Sequence, residues 1–254
     1  MLVAEAFILV VAGVAAGFIN VIAGGGSLLS IPALMWVGLD GASANGTNRL
    51  GVLIQSVAST ARFAKTEVHS FKESGLLALA LLPGGLIGAY WGTLIEGVWF
   101  NRLLASVMLF VLITMDMESH PNQSPQNSAD KTRLKNPAVV YSLTGLIGFY
   151  GGVIHIGIGL LIMAVLTRVG GLNLKYTNMH KMIMVIPYTL FAIIIFSCYH
   201  EIAWVAGLIL AVGASVGGWL GAKIAVEKSE KRIRMIFQAC IAAMIINLLF
   251  FSTI

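Results

Sequence analysis

Apolar runs close to the roughly 20 residues that cross a bilayer core recur along the whole chain, and they decide what it can fold into. They cover 3–22, 76–95, 103–117, 139–154, 182–198, 202–222 and 235–251. Of the 254 residues 58% are hydrophobic and 11% charged, where soluble domains carry about a quarter charged residues. Mean hydropathy is +0.89. A soluble globule is excluded, and an all-α polytopic membrane protein is expected. The opening Met1-Leu2-Val3-Ala4-Glu5 has no positive stretch, so a cleaved signal peptide is not expected. The net charge of +5 does not point to nucleic acid, because the positive residues fall mostly in short connections, where they orient a membrane protein. Cys198 and Cys240 lie in apolar runs without metal or redox spacing and read as structural thiols.

The chain repeats weakly at a separation of about 130 residues. Gly17-Phe18-Ile19-Asn20 through Leu29 resembles Gly148-Phe149-Tyr150-Gly151 through Leu161. Thr47-Asn48 matches Thr177-Asn178, and Gly84, Gly88 and Gly92 match Gly213, Gly217 and Gly221. The polar stretch 118–137 reads as a cytoplasmic linker, so the expected units are repeats 1–117 and 138–254. The glycine triplets flatten one helix face and suit close packing in lipid.

Basic residues gather in four connections: Arg62, Lys65 and Lys72; Lys131, Arg133 and Lys135; Arg168 and Lys175; and Lys223, Lys228, Lys231, Arg232 and Arg234. By the positive-inside rule these are cytoplasmic. The connections around Asp40, Glu96 and His200 are external. For this order to hold, 3–37 and 139–166 must each enter and return, and each half then adds three crossings. The halves are expected to be inverted, with both termini outside.

Two charges belong to neither set of connections. Arg49 closes the polar cluster Ala44-Asn45-Gly46-Thr47-Asn48-Arg49, and Lys181 closes Lys175-Tyr176-Thr177-Asn178-Met179-His180-Lys181. They read as lying beside long apolar helices. An ionisable residue at membrane depth is costly and marks function. All eleven acids lie in connections or near run ends, so no carboxylate is expected to neutralise these cations. The balance favours an anionic substrate, with Arg49 as a planar fork and Lys181 as a point charge. Thr47, Asn48, Thr177 and Asn178 would add neutral donors. The alternative is that both cations snorkel to headgroups.

Ala23-Gly24-Gly25-Gly26-Ser27 breaks the first helix pattern, since glycine costs about 1 kcal/mol in a helix interior. The second piece would offer free N–H groups to an anion, with Ser27 at its cap; a glycine kink for packing alone is the other reading. Gly151, Gly152, Gly157 and Gly159 form a second break containing His155. His155 reads either as a neutral bundle histidine or as a titrating group coupled to protons; a metal role lacks companion ligands. Asn20 and Gln55 either line a cavity or bridge helices.

The run Gly17-Phe18-Ile19-Asn20-Val21-Ile22-Ala23-Gly24-Gly25-Gly26-Ser27-Leu28-Leu29-Ser30-Ile31-Pro32-Ala33-Leu34, followed by Ala44-Asn45-Gly46-Thr47-Asn48-Arg49, closely resembles the TauE/SafE sulfite exporter family. Gly148-Phe149-Tyr150-Gly151-Gly152 with Gly157-Ile158-Gly159 is similar to it too. The resemblance covers nearly the whole chain. It implies a bacterial inner-membrane transporter of sulfite, of sulfonates such as sulfoacetate, or of related sulfur anions, often acting as an exporter. His155 departs from a small residue common there, which leaves the substrate open.

The expected binding set is Asn20, Gly25, Gly26, Ser27, Thr47, Asn48, Arg49, Gln55, Tyr150, His155, Gly157, Thr177, Asn178, His180 and Lys181, near the midplane between the halves. Alternating access would expose it. No cofactor, metal or nucleic acid is expected, and assembly as a homodimer stays open. No Gly-x-x-x-x-Gly-Lys-Ser/Thr loop supplies an ATP-driven motor. The rival readings are a passive anion channel, a carrier of non-sulfur carboxylates, a membrane enzyme without visible catalytic groups, and a scaffold subunit.

Overall fold

The computed structural model describes residues 2–66, 70–117 and 134–227, which fold as helices and connections without a strand. The helices are α1 (Val3–Ala23), α2 (Ser27–Trp36), α3 (Gly41–Phe63), α4 (Phe71–Gly92), α5 (Gly97–Met117), α6 (Pro137–Val153), α7 (Ile158–Ala164), α8 (Leu174–Tyr199) and α9 (Trp204–Glu227). A π turn, Val165–Val169, continues α7. Most of the expected linker and the run 235–251, with Cys240, lie outside the described residues. Cys198 is exposed on α8.

Local chemistry sets the ends. Gly24 stops α1 in the left-handed region at φ 80°, and its N–H returns to the carbonyls of Asn20 and Ile19. Pro137 opens α6 at a position that needs no N–H donor. The Asp40 carboxylate caps α3 by accepting from the N–H groups of Ala42 and Ser43. The Asn173 side chain caps α8 through Tyr176 N–H.

Helices α1, α4, α8 and α9 are long and apolar enough to cross a bilayer. Helix α3 has 23 residues but is far more polar, and Asn45, Thr47, Asn48, Arg49, Gln55, Ser56 and Ser59 are all buried on it. Its polarity turns inward, with Gln55 bonded to α1, Asn48 to α2, and Asn45 and Arg49 to the end of α6. The two polar clusters therefore lie within the first turns of α3 and α8, not beside helices as the sequence suggested.

Helix α1 packs on α9 and α6 on α4, with α3 and α8 between these pairs. Both outer pairs are built alike. A methyl group added at Gly88 would fall 2.0 Å from Phe149 O, and one added at Gly217 would fall 2.0 Å from Val14 O. Backbones this close need glycine, and lipid gives such helices no other strong reason to associate.

The connections sort into two faces. His200 Nε2 donates to Thr93 O at 2.9 Å and lies 3.8 Å from Glu96. The Phe100 ring lies against Gly41. Trp36, Trp91, Trp99, Tyr199 and Trp204 are exposed at this end, as an interfacial aromatic belt requires. At the other end of α8, Lys135 N–H donates to Gly170 O at 2.9 Å. The Asp40, Glu96 and His200 connections thus meet, as do those of Lys135 and Arg168.

Gly217→Ala should destabilise the protein by about 1–3 kcal/mol, whereas Gly75→Ala, with nothing within 4 Å, should stabilise it by about 0.5–1 kcal/mol; unfolding in detergent measures both signs. Burial raises the Asp40 carboxyl, but hydrogen bonds from Ser43 and Ala42, with His200 nearby, hold it below 3.8. Its contribution is present above the unfolded value and fades as pH falls through the lower folded value. Asp40→Ala should cost about 1 kcal/mol at neutral pH and less in acid, as unfolding at two pH values will show.

Candidate functional site

Each break in a helix leaves carbonyls without partners, and such ends carry about half a negative charge. Lys181, on α8, donates to Val21 O at the end of α1 at 2.9 Å, and to Asn178 Oδ1 at 2.9 Å. Its Nζ also lies 3.3 Å from Met163 Sδ. Arg49, on α3, donates through Nη2 to Gly152 O at the end of α6 at 2.5 Å, and its Nη1 lies 3.5 Å from Gly151 O. Its guanidinium stands 4.5 Å above the Phe196 ring. Each cation thus reaches from one half of the chain to the broken helix of the other.

Arg49 and Lys181 are both 0% exposed, which excludes snorkelling. They are also not uncompensated, as the sequence reading had them. A carbonyl end offsets about half a unit charge. Among the described residues every carboxylate lies in a connection or an end turn.

Polar side chains of α3 fasten both breaks. Asn48 Nδ2 donates to Ser27 Oγ at 2.9 Å, and Asn48 Oδ1 accepts from Ser30 Oγ at 2.5 Å. Asn20 Nδ2 donates to Gln55 Oε1 at 3.2 Å. At the second break Asn45 Nδ2 donates to Val153 O at 3.0 Å and Asn45 Oδ1 accepts from His155 N–H at 3.3 Å. Tyr188 Oη pairs with His155 Nδ1. Tyr150 Oη donates to Ile156 O at 2.6 Å.

Some expectations shift. Gly26, not Ser27, holds the cap position of α2, and it is helical; Ser27 is the first helical residue and its hydroxyl is taken by Asn48. Gly157 is the left-handed residue before α7 (φ 66°). The two breaks were expected to face an anion. Instead they touch: a methyl group at Gly24 would fall 2.3 Å from Gly159 C. A cavity of about 10 Å³ lies beside Gly25's break, lined by Gly26, Ser27, Ser30, Asn48 and Gln55. It has room for about one water, so no anion-sized space opens there among the described residues.

Thr47 Oγ1 accepts from Ala203 N–H at 3.1 Å and fixes the start of α9. Thr177 Oγ1 is buried without a hydrogen-bond partner among the described residues. His180 turns to α4, with Nδ1 2.8 Å from Ser74 Oγ. The sequence reading missed Asn45, Ser30 and Tyr188. Spacing could have found them: Asn45 stands one turn before Arg49, Ser30 three residues after Ser27, and Tyr188 seven residues after Lys181.

Irregular backbone at helix breaks, buried among polar side chains in an apolar bundle, defines a polytopic α-helical membrane transporter. The family model for the sulfite exporter TauE/SafE matches residues 9–248, and the chain belongs to that family. It is 27% identical over 95% of its length to the "Probable membrane transporter protein ORF9" of Sinorhizobium sp, covering 91% of that protein. It is 26% identical to the "Probable membrane transporter protein YfcA" of Escherichia coli strain K12, over 93% of this chain and 87% of that one. It is 24% identical to the "Probable membrane transporter protein YunE" of Bacillus subtilis strain 168, over 91% and 92% respectively. No solved structure matches.

Asn48→Ala removes two buried hydrogen bonds, leaving Ser30 Oγ only Gly26 O at 3.4 Å, and should cost about 1–3 kcal/mol, against about 1 kcal/mol for Ser30→Ala; denaturant unfolding of the two variants in one detergent compares them.

Proposed function

We propose that the chain is a secondary transporter that exports a small sulfur-containing anion, an organosulfonate such as sulfoacetate or inorganic sulfite, by alternating access. One observation carries this reading. Two buried cations rest on helix-end carbonyls, with no carboxylate in the described helix interiors. A carbonyl end offsets about half a charge; an anion offsets a whole one and can take its place. The binding set would be Arg49 and Lys181 with Asn48, Ser27, Asn178 and the backbone at Gly25 and Gly26.

The seating of the two cations fits such a cycle. An anion reaching Arg49 would compete with Gly151 O and Gly152 O, and one reaching Lys181 would compete with Val21 O. Since each cation holds the broken helix of the opposite half, binding would loosen the contact between halves. We read those halves, 1–117 and 138–254, as inverted repeats, because α1 on α9 and α6 on α4 share one packing pattern. The face holding Lys135 and Arg168 would be cytoplasmic in a bacterial inner membrane, with both termini outside. The family's description as a sulfite exporter favours a sulfur anion over a non-sulfur carboxylate.

Arg49→Ala and Lys181→Ala should each fold and lose at least tenfold in sulfonate affinity, about 1.4 kcal/mol. Calorimetry with sulfite, sulfoacetate and a dicarboxylate panel tests this. Unchanged sulfonate binding by both folded variants removes the site, and preference for the dicarboxylates removes the substrate class.

A further inference from the structure

The transport reading leaves one buried pair unused. His155 is 2% exposed and lies between α6 and α7, three residues beyond the Gly152 carbonyl that Arg49 holds. Its Nδ1 pairs with Tyr188 Oη, and the two rings stack with centroids 5.6 Å apart. Its N–H donates to Asn45, one turn from Arg49 on α3. The groups around it come from three helices: Arg49 and Asn45 from α3, Tyr150 from α6 and Tyr188 from α8. Apolar side chains of α1 and α2 join Ile154 and Ile156 in one core. No carboxylate among the described residues faces it. His180, the other buried histidine among the described residues, faces Ser74 on α4.

We propose that His155 carries a proton together with the transported anion. In the empty site the Arg49 charge disfavours a second cation nearby. Tyr188 O–H then donates to a neutral imidazole. An anion at Arg49 cancels that field. The imidazole takes a proton from water onto Nδ1, and Tyr188 Oη turns to accept it. When the anion leaves, the proton returns to water on the side of release. The pair moves as one, so a monoanion crosses without net charge and a dianion such as sulfoacetate with one negative charge. The proposal rests on the anion reading above.

The test uses the purified full-length protein in liposomes containing a pH-sensitive dye, with the membrane potential clamped. Sulfoacetate is the probe, because its acid groups do not titrate between about pH 6 and 8. The wild type should acidify the lumen as sulfoacetate enters, with a proton for each anion. In His155→Gln the proton-to-anion ratio should fall to zero whatever rate remains. Tyr188→Phe keeps the ring and should shift the pH of half-maximal proton uptake by on the order of one unit; it serves also if His155→Gln does not fold. Net sulfoacetate entry without proton movement in the wild type overturns the coupling and leaves the anion reading standing. Acidification by His155→Gln, or an unshifted profile in Tyr188→Phe, overturns the assignment to this pair. Absence of counterflow for sulfoacetate, sulfite and dicarboxylates alike overturns the anion reading and the coupling with it.

Discussion

A full positive charge resting on the carbonyl end of a broken helix is the interaction on which this structure turns. An isolated charge in a low-dielectric interior costs several kcal/mol. Arg49 and Lys181 bear that cost against Gly151, Gly152 and Val21. The match is deliberately incomplete in the physical sense: helix ends carry partial charge, the side chains a whole one. That difference is what the anion proposal rests on: a whole negative charge would match each cation better than a helix end does.

The fold exists to place these contacts. Glycines on α4 and α9 let α6 and α1 approach within backbone contact. That approach sets the positions where α1 and α6 end. Helices α3 and α8 then run between the two pairs and present Arg49 and Lys181 to the exposed carbonyls. Asn45 and Asn48 complete the fastening, since each satisfies donors and acceptors at a break where the helix ladder cannot. Packing, breaks and charge are thus parts of one arrangement, and moving the α1–α9 contact would move the Lys181 partner with it.

Much of this was legible in the sequence, because lipid imposes simple demands. Apolar length marked α1, α4, α8 and α9, and the glycine runs marked both breaks. Among the described residues, the Lys135 and Gly170 connections meet at one end, as the basic residues suggested. Helix α3 was harder to read, since its polar residues point inward and spoil the apolar signal; only the Arg49 cluster marked it. The partners of Arg49 and Lys181 were not legible at all. They are backbone carbonyls 102 and 160 residues away, and a carbonyl has no sequence signature. For the same reason the touching of Gly24 and Gly159 could not be foreseen.

The most direct measurement is a structure of the purified protein with selenite, a sulfite analogue whose electron-rich atom is visible by anomalous scattering or as strong density. The account predicts selenite within hydrogen-bond distance of the Arg49 guanidinium or Lys181 Nζ, with the corresponding carbonyl contact at Gly152 or Val21 broken. Selenite bound elsewhere, with both cations still seated on their carbonyls, would contradict it.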